Sequence, residues 1–556
     1  MLNDYFKATF IAGALTVCLI IILGRLLYLQ VYKHTFYENF SKKQSTAVIT
    51  LDRNRGVIYD RNGKVLAQNV YNASVYVDAS KVDNPRNFLY ILKVNGIELP
   101  KKIKEKILKK DRFVWIVRGI DVEKAKKISR LDDNLQMILQ ENRFYPEGDV
   151  ASKIVGFTGI DNQGLEGVEA FFDSSLKGEK VNVSVLKDSR GKTLVFEDRA
   201  VKTNPENSLY LSIDSNLQKV ATSILYNDLK EIGAKSVFAA AMDVNTGEII
   251  FSSSVPTYDS NEFDKYEKTL WKDPLFYYLF EPGSIFKAVT FSVLAEENLI
   301  KRDEKVYCEN GKYPYAGHIF NDVHKFERLT YEEIFANSSN IGTIKLTEKI
   351  SSAQFYKYLK KYGFGELTGT KGFAEESGFL RNVKDWSKLS KPSVSIGQEI
   401  LVTPIQMLRF YGALANGGYA VRPTIIKGKT EEREKILSAQ TATLLKKLLI
   451  AAVETGTGQN AKSELIKIAG KTGTAQKFDK STNSYSYRDY NASFIGFFPV
   501  EKPRYVMIVT YDSPRKSIYG GSTAAYTFKK IAEQMAIHFR LNINKMMVEN
   551  ENRKAS

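Results

Sequence analysis

The sequence predicts an α/β body carried on one N-terminal membrane helix, and three observations predict it. Residues 8–24 contain no charged side chain. From there to about residue 205, short β-rich runs alternate with Lys-rich helical stretches. Beyond 205, a strand-like Leu209–Asp214 leads into a helical Leu217–Leu225, and Ser236–Asp243 and Glu248–Ser252 flank the turn Asn245-Thr246-Gly247 as a strand, a turn and a strand.

The first element is the anchor. Its apolar pattern continues past Arg25 through Leu26 to Tyr32, and about 20 apolar residues span a bilayer. No Ala-x-Ala site follows it, so an uncleaved signal anchor is expected over 8–29, with a short head at 1–7. Charge alone sets no orientation, because Asp4 and Lys7 precede the span and Lys33 follows it. Residues 30–205 then hold runs such as Ala73–Asp78 and Lys101–Lys110 but no coherent catalytic set. A second domain is expected over 206–544, with Arg504–Tyr511 as a late strand and a polar tail at 545–556.

Composition narrows the function classes. The 556 residues are 43% hydrophobic, enough for a large core, and 80 Lys and Arg against 63 Asp and Glu leave a net charge of +17. That balance suits an anionic membrane surface or wall polymer. No zinc finger, helix-turn-helix or aromatic RNA motif supports nucleic acid as a partner. Four His without HExxH or Cys-rich spacing argue against a catalytic metal, and no cofactor is expected. Cys18 in the anchor and Cys308 outside it form no expected disulfide.

Three short motifs carry the chemistry. The first is Ser284-Ile285-Phe286-Lys287. The spacing recurs at Ser174/Lys177, Ser184/Lys187, Ser189/Lys192 and Ser513/Lys516, so spacing alone decides nothing. Context singles out Ser284: Glu281-Pro282-Gly283 breaks the chain before it and an apolar helical run follows. Residues three apart share a helical face, so the Lys287 amine can reach the Ser284 hydroxyl. A helix N-terminus favours negative oxygen and helps to lower the lysine pKa, which makes Lys287 a candidate base. An ordinary N-capping Ser with a solvated Lys is the alternative.

The second motif, Ser338-Ser339-Asn340, lies between two helical patterns. Ser338 is a candidate proton relay and Asn340 a candidate donor to substrate; a plain helix cap is the alternative. The third, Lys471-Thr472-Gly473-Thr474, reads as a strand edge whose small residues admit a substrate. Lys471 brings positive charge for a carboxylate, Thr472 and Thr474 bring hydroxyls, and the backbone N–H groups of Ser284 and Thr474 are a candidate oxyanion hole. A phosphate-binding loop is excluded, since it needs Gly at 465, which is Leu. No Gly-x-Ser-x-Gly elbow surrounds Ser284, which disfavours a Ser-His-Asp triad.

In that order and with those gaps the motifs resemble the class B penicillin-binding proteins, of the FtsI-like septal type. Arg55, Gly56, Asp60, Arg61 and Gly63, then Arg143, then Gly164 and Glu166, match the family's non-catalytic motifs. Ser254–Asp259, Gly397-Gln398, Thr403–Gln406 and Ser493–Pro499 fit its catalytic part. The resemblance implies a penicillin-binding/serine β-lactamase-like transpeptidase domain, an antiparallel sheet flanked by helices, on an elongated mixed α+β pedestal. It also implies a single-pass protein of the bacterial cytoplasmic (inner) membrane, with the head inside and the catalytic body periplasmic.

The implied activity is peptidoglycan D,D-transpeptidation in septal synthesis. Ser284 would be acylated, Lys287 its base, Ser338 and Asn340 the relay and amide donor. Ser339, Lys471, Thr472, Gly473 and Thr474 would bind substrate. Implied partners are stem peptides ending in D-Ala-D-Ala, β-lactams, a SEDS-family polymerase and divisome membrane proteins. Ser-Ser-Asn followed by Ile341-Gly342 resembles the division branch more than the elongation branch. A D,D-carboxypeptidase or β-lactamase, a penicillin-sensing receptor, and a scaffold activating a lipid II polymerase are the other readings. The pedestal motifs weigh against the first, and the short head weighs against the second.

Overall fold

The structure is a computed structural model, and it describes residues 2–52, 55–177, 180–187, 193–195, 207–428, 432–479 and 484–541. The polar tail expected from 545 lies outside them. The chain forms two units, Met1–Arg55 with Lys177–Pro205, and Gly56–Leu176 with Glu206–Ser556. The expected 30–205 segment is therefore divided between the two.

In the first unit, helix α1 (Leu2–Leu27) continues through a π-helical turn at Tyr28–Tyr32. Tyr5–Tyr32 is long and apolar enough to cross a membrane. Its Phe10, Leu15, Ile20, Ile21 and Ile22 are all exposed, as expected of side chains whose apolar surroundings are lipid. A strand at Thr46–Asp52 pairs antiparallel with Lys180–Lys187.

The second unit begins with the pedestal part. Strand β1 (Val65–Val77) pairs antiparallel with β2 (Val114–Ile120) and β3 (Leu135–Phe144). Alternation along β1 points Ala73, Val75 and Val77 into a small core. Phe88 and Leu92 of the helix Pro85–Val94 fill that core, together with Ile107. The Lys-rich stretch is the helix Lys101–Leu108, which buries Ile107 and leaves Lys101, Lys102, Lys104 and Lys106 in solvent.

Asp60 and Arg61 tie the pedestal part to the catalytic part, while the other motif residues hold the pedestal part itself. Asp60 accepts from the N–H groups of Asn62 and Lys64, both at 2.8 Å, and from the Ser215 hydroxyl at 2.8 Å. Arg61 pairs with Glu248 at 3.1 Å. Gly63 has φ +86°, a left-handed turn that Gly adopts at least cost. Arg143 meets Glu169 at 2.6 Å with both side chains sealed from solvent. Gly164 donates its N–H to Asp173 at 2.6 Å, and Glu166 caps the helix Gly167–Phe171 through its extended backbone. Arg55 is the last residue of the first unit's N-terminal stretch.

The catalytic part contains, in chain order, α2 (Ser215–Ile232), β4 (Ser236–Asp243), β5 (Ile249–Val255), α3 (Lys287–Glu296), α4 (Asn340–Thr347), α5 (Pro404–Ala415), α6 (Ala439–Glu454), β6 (Ala469–Asp479), β7 (Ser484–Phe498), β8 (Tyr505–Asp512) and α7 (Ala524–His538). The strands form an antiparallel five-stranded sheet in the order β5-β4-β8-β7-β6. Phe238, Ala240 and Met242 of β4 join a core with Met407 and Leu408 of α5. Val237, Ala239 and Ala241 join a second core with Leu217, Leu225, Phe528 and Met535 of α2 and α7. Both faces of the sheet are thus covered by helices. Strand β6 is left as an edge of this sheet.

Candidate active site

Ser284 lies in a one-turn 3-10 helix, Gly283–Phe286, that runs into α3 at Lys287. The turn is pinned on both sides. Gly283 has φ +55° and donates its N–H to Gly397 O at 2.9 Å, and the Tyr411 hydroxyl of α5 donates to Ile285 O at 2.7 Å. Opposite lies the edge strand β6: a Cβ on Gly473 would stand 3.1 Å from Pro282 O and 3.0 Å from Ile285 Cγ2. Small residues on this strand therefore let it approach the Ser284 turn closely. Ser284 itself remains partly exposed.

Lys287 is fully buried on α3. Its Nζ donates to Ser338 O at 2.6 Å, Asn340 Oδ1 at 2.7 Å and Ser338 Oγ at 3.2 Å. Lys471, equally buried on β6, donates its Nζ to the same Ser338 Oγ at 2.8 Å and stands 5.9 Å above the Phe335 ring. Two lysines therefore meet at one hydroxyl. Burial pulls Lys287 down to about 7, against the opposing pull of the Asp322 carboxylate. Burial, and then the neighbouring Lys287 charge, hold Lys471 well below the usual lysine range. An amine near 7 is poised to take and return a proton at neutral pH.

The Ser338 loop reaches this position because its backbone turns left-handed, with φ +58° at Ser338. Asn340 then opens α4 with its amide fixed: Nδ2 donates to Asn321 O at 2.9 Å while Oδ1 accepts from Lys287. Ser339, expected to bind substrate, is buried; it donates its hydroxyl to Asp322 Oδ2 at 2.6 Å and accepts from Gly342 N at 2.9 Å, so in this structure its side chain holds the loop. On β6, Thr472 Oγ1 lies 2.6 Å from Thr457 Oγ1, and Thr474 Oγ1 accepts from Gly520 N at 3.2 Å.

Hydrogen bonds join Lys287, Ser338, Asn340 and Lys471, and the Ser284 turn lies against β6 at Gly473, with the Lys287 amine bonded to Ser338 and Asn340, whereas the pedestal motif residues lie elsewhere in the fold. Sequence reading missed Asp322, Thr457 and the pair formed by Glu281 with Tyr485, whose hydroxyl donates to the Glu281 carboxylate at 2.9 Å. Only Glu281, three positions before Ser284, was adjacent to a recognised motif.

Comparison with known proteins gives two family matches. Residues 237–533 match the penicillin binding protein transpeptidase domain, and residues 50–211 match the penicillin-binding protein dimerisation domain. Stage V sporulation protein D of Bacillus subtilis is 32% identical over 535 residues, covering 91% of this chain and 81% of that protein. The peptidoglycan D,D-transpeptidase FtsI of Escherichia coli is 28% identical over 537 residues, covering 94% and 90%. The apo crystal structure of penicillin binding protein 3 from Mycobacterium tuberculosis aligns with a TM-score of 0.68 at 25% identity, covering 89% of this chain and 98% of that one.

Proposed function

Since this chain belongs to the class B penicillin-binding proteins, we propose that it is a peptidoglycan D,D-transpeptidase acting through a Ser284 acyl-enzyme. The observation that carries the assignment of roles is the convergence of Lys287 and Lys471 on the Ser338 hydroxyl, beside the turn that presents Ser284. Ser284 Oγ attacks the carbonyl carbon of the penultimate D-Ala, and its proton passes to neutral Lys287. The backbone N–H groups of Ser284 and Thr474 receive the oxyanion. The C–N bond breaks, and Ser338 relays the proton from Lys287 to the departing D-Ala amine. An acceptor amine then attacks the ester carbonyl, loses its proton along the same relay, and Ser284 leaves with its hydroxyl restored. One amide replaces another, so no external energy source is needed.

In this reading Lys471, Thr472 and Thr474 hold the terminal carboxylate. A β-lactam, whose strained amide stands in for the D-Ala-D-Ala bond, acylates Ser284. The anchor at Tyr5–Tyr32 supports a single-pass protein with its catalytic body outside the cytoplasmic membrane. A SEDS-type polymerase and divisome membrane proteins are the proposed partners. Ser338-Ser339-Asn340-Ile341-Gly342 favours division-type septal synthesis over elongation. The likeness to a sporulation protein favours a related second reading, wall synthesis during sporulation. Depletion that blocks vegetative septa supports the first, and a defect confined to spores supports the second.

The test of the chemistry is labelling by a fluorescent penicillin with the adduct located by peptide mass. A long-lived adduct on Ser284, lost in Ser284→Ala, is expected; an unlabelled but folded wild type would overturn the assignment. The pH dependence follows from Lys287. Only its neutral form accepts a proton, so acylation is expected to fall about tenfold per pH unit below about 7 and to level off above it. Stopped-flow acylation between pH 5 and 9 reads this limb directly.

A further inference from the structure

We infer that Asp322 is a positioning residue for acylation, holding the Ser338–Asn340 loop in place and offsetting the charge that Lys287 carries once it has taken the Ser284 proton. The inference rests on Lys287 acting as the base. Asp322 follows a hairpin whose strands, Lys312–Tyr315 and His318–Asn321, pair antiparallel. Its Oδ2 accepts from Ser339 Oγ at 2.6 Å, and its Oδ1 accepts from the N–H groups of Asn340 and, at 3.1 Å, Ile341. These are first-turn N–H groups of α4, which have no partner within the helix and attract negative charge.

The residue before it completes the arrangement. Asn321 O takes the Asn340 Nδ2 proton at 2.9 Å, which leaves Oδ1 facing Lys287 Nζ at 2.7 Å. A flipped amide would set an NH2 group against the amine, so the hairpin end selects the orientation that accepts from Lys287. Two consecutive residues thus fix both the backbone and the side chain of Asn340.

The electrostatics point the same way. Lys287 faces Lys471 from β6 and Asp322 from the hairpin end. Behind Asp322 lie the Cys308 thiol, 3.7 Å from Ser339 Oγ, and the Lys345–Glu309 ion pair at 2.5 Å. Asp322 is the carboxylate that draws Lys287 upward against burial. Without it, two buried amines would share one hydroxyl with no nearby negative charge among the groups that act on Lys287.

The experiment measures penicillin acylation against pH on the full-length protein in detergent. Asp322→Asn keeps an acceptor for the two N–H groups and removes the charge. Its acidic limb is expected to move to lower pH by about one unit. Asp322→Glu keeps the charge but displaces it; its limb stays, and its plateau rate falls by about 10- to 100-fold because the loop is misplaced. Glu309→Gln, which neutralises a carboxylate paired to Lys345 instead, leaves both unchanged. A folded Asp322→Asn with the wild-type limb overturns the inference. So does Asp322→Glu at the wild-type plateau, which remains decisive if the Asn variant does not fold. A wild type lacking the limb would instead overturn the role of Lys287.

Discussion

Lys287→Ala is expected to lower the rate of Ser284 acylation by about 10²- to 10⁴-fold, the range a positioned general base supplies. The loss should appear in the acylation step and not in binding, because Lys287 is fully buried and spends its Nζ on Ser338 and Asn340. Lys287→Arg should not rescue it, since a guanidinium stays charged at every accessible pH and cannot accept the Ser284 proton. Single-turnover labelling resolves the two. A fall of less than tenfold would transfer the base to Lys471, whose Nζ also touches Ser338 Oγ, at 2.8 Å.

Arg143→Ala in the pedestal part is expected to cost about 3–5 kcal/mol of stability, the penalty for stripping a partner from a sealed ion pair. Arg143 Nε meets Glu169 Oε1 at 2.6 Å, the side chains are 1% and 0% exposed, and Nη1 donates to Asn69 Oδ1 at 3.0 Å. The Glu169 carboxylate would then lose the guanidinium 2.6 Å away in the interior, while the Tyr145 hydroxyl, at 3.5 Å, still donates to it. Denaturant unfolding should show a lowered midpoint, while the folded fraction still acylates Ser284 at the wild-type rate, because no atom of the pair lies in the site. The double variant Arg143→Met/Glu169→Leu should recover part of the loss, since it removes both charges of the pair together. A single Arg143→Ala variant with wild-type stability would mean that the charges are compensated by another group.

Local sequence foretold those parts of the site that one stretch of backbone builds. The break at Glu281-Pro282-Gly283 and the apolar run after it placed Ser284 at a helix entrance and Lys287 one turn on. Small residues placed Lys471–Thr474 on a strand edge, and the polar cluster around Ser338 lay between two helices as its flanks implied. Ser339 shows where that reasoning stopped. It caps Gly342 three residues on, as the helix-cap alternative allowed, but it also donates to Asp322, a partner 17 positions away whose approach no local pattern announces.

The sequence by itself determined an N-terminal helix long and apolar enough to cross a membrane, the order of the three motifs and the family to which they belong. Those features depend on periodicity, composition and spacing, which are properties of neighbouring residues. The tertiary structure alone decided that Lys287 and Lys471, 184 positions apart, converge on one hydroxyl, and that Asn340 turns its carbonyl to Lys287. It alone paired Arg143 with Glu169 out of solvent and brought the end of a hairpin to the loop of a distant motif. The physical reason is the same in each case. Desolvation and charge neutralisation act through space, so a lysine's proton affinity and an amide's orientation are set by what the fold packs against them.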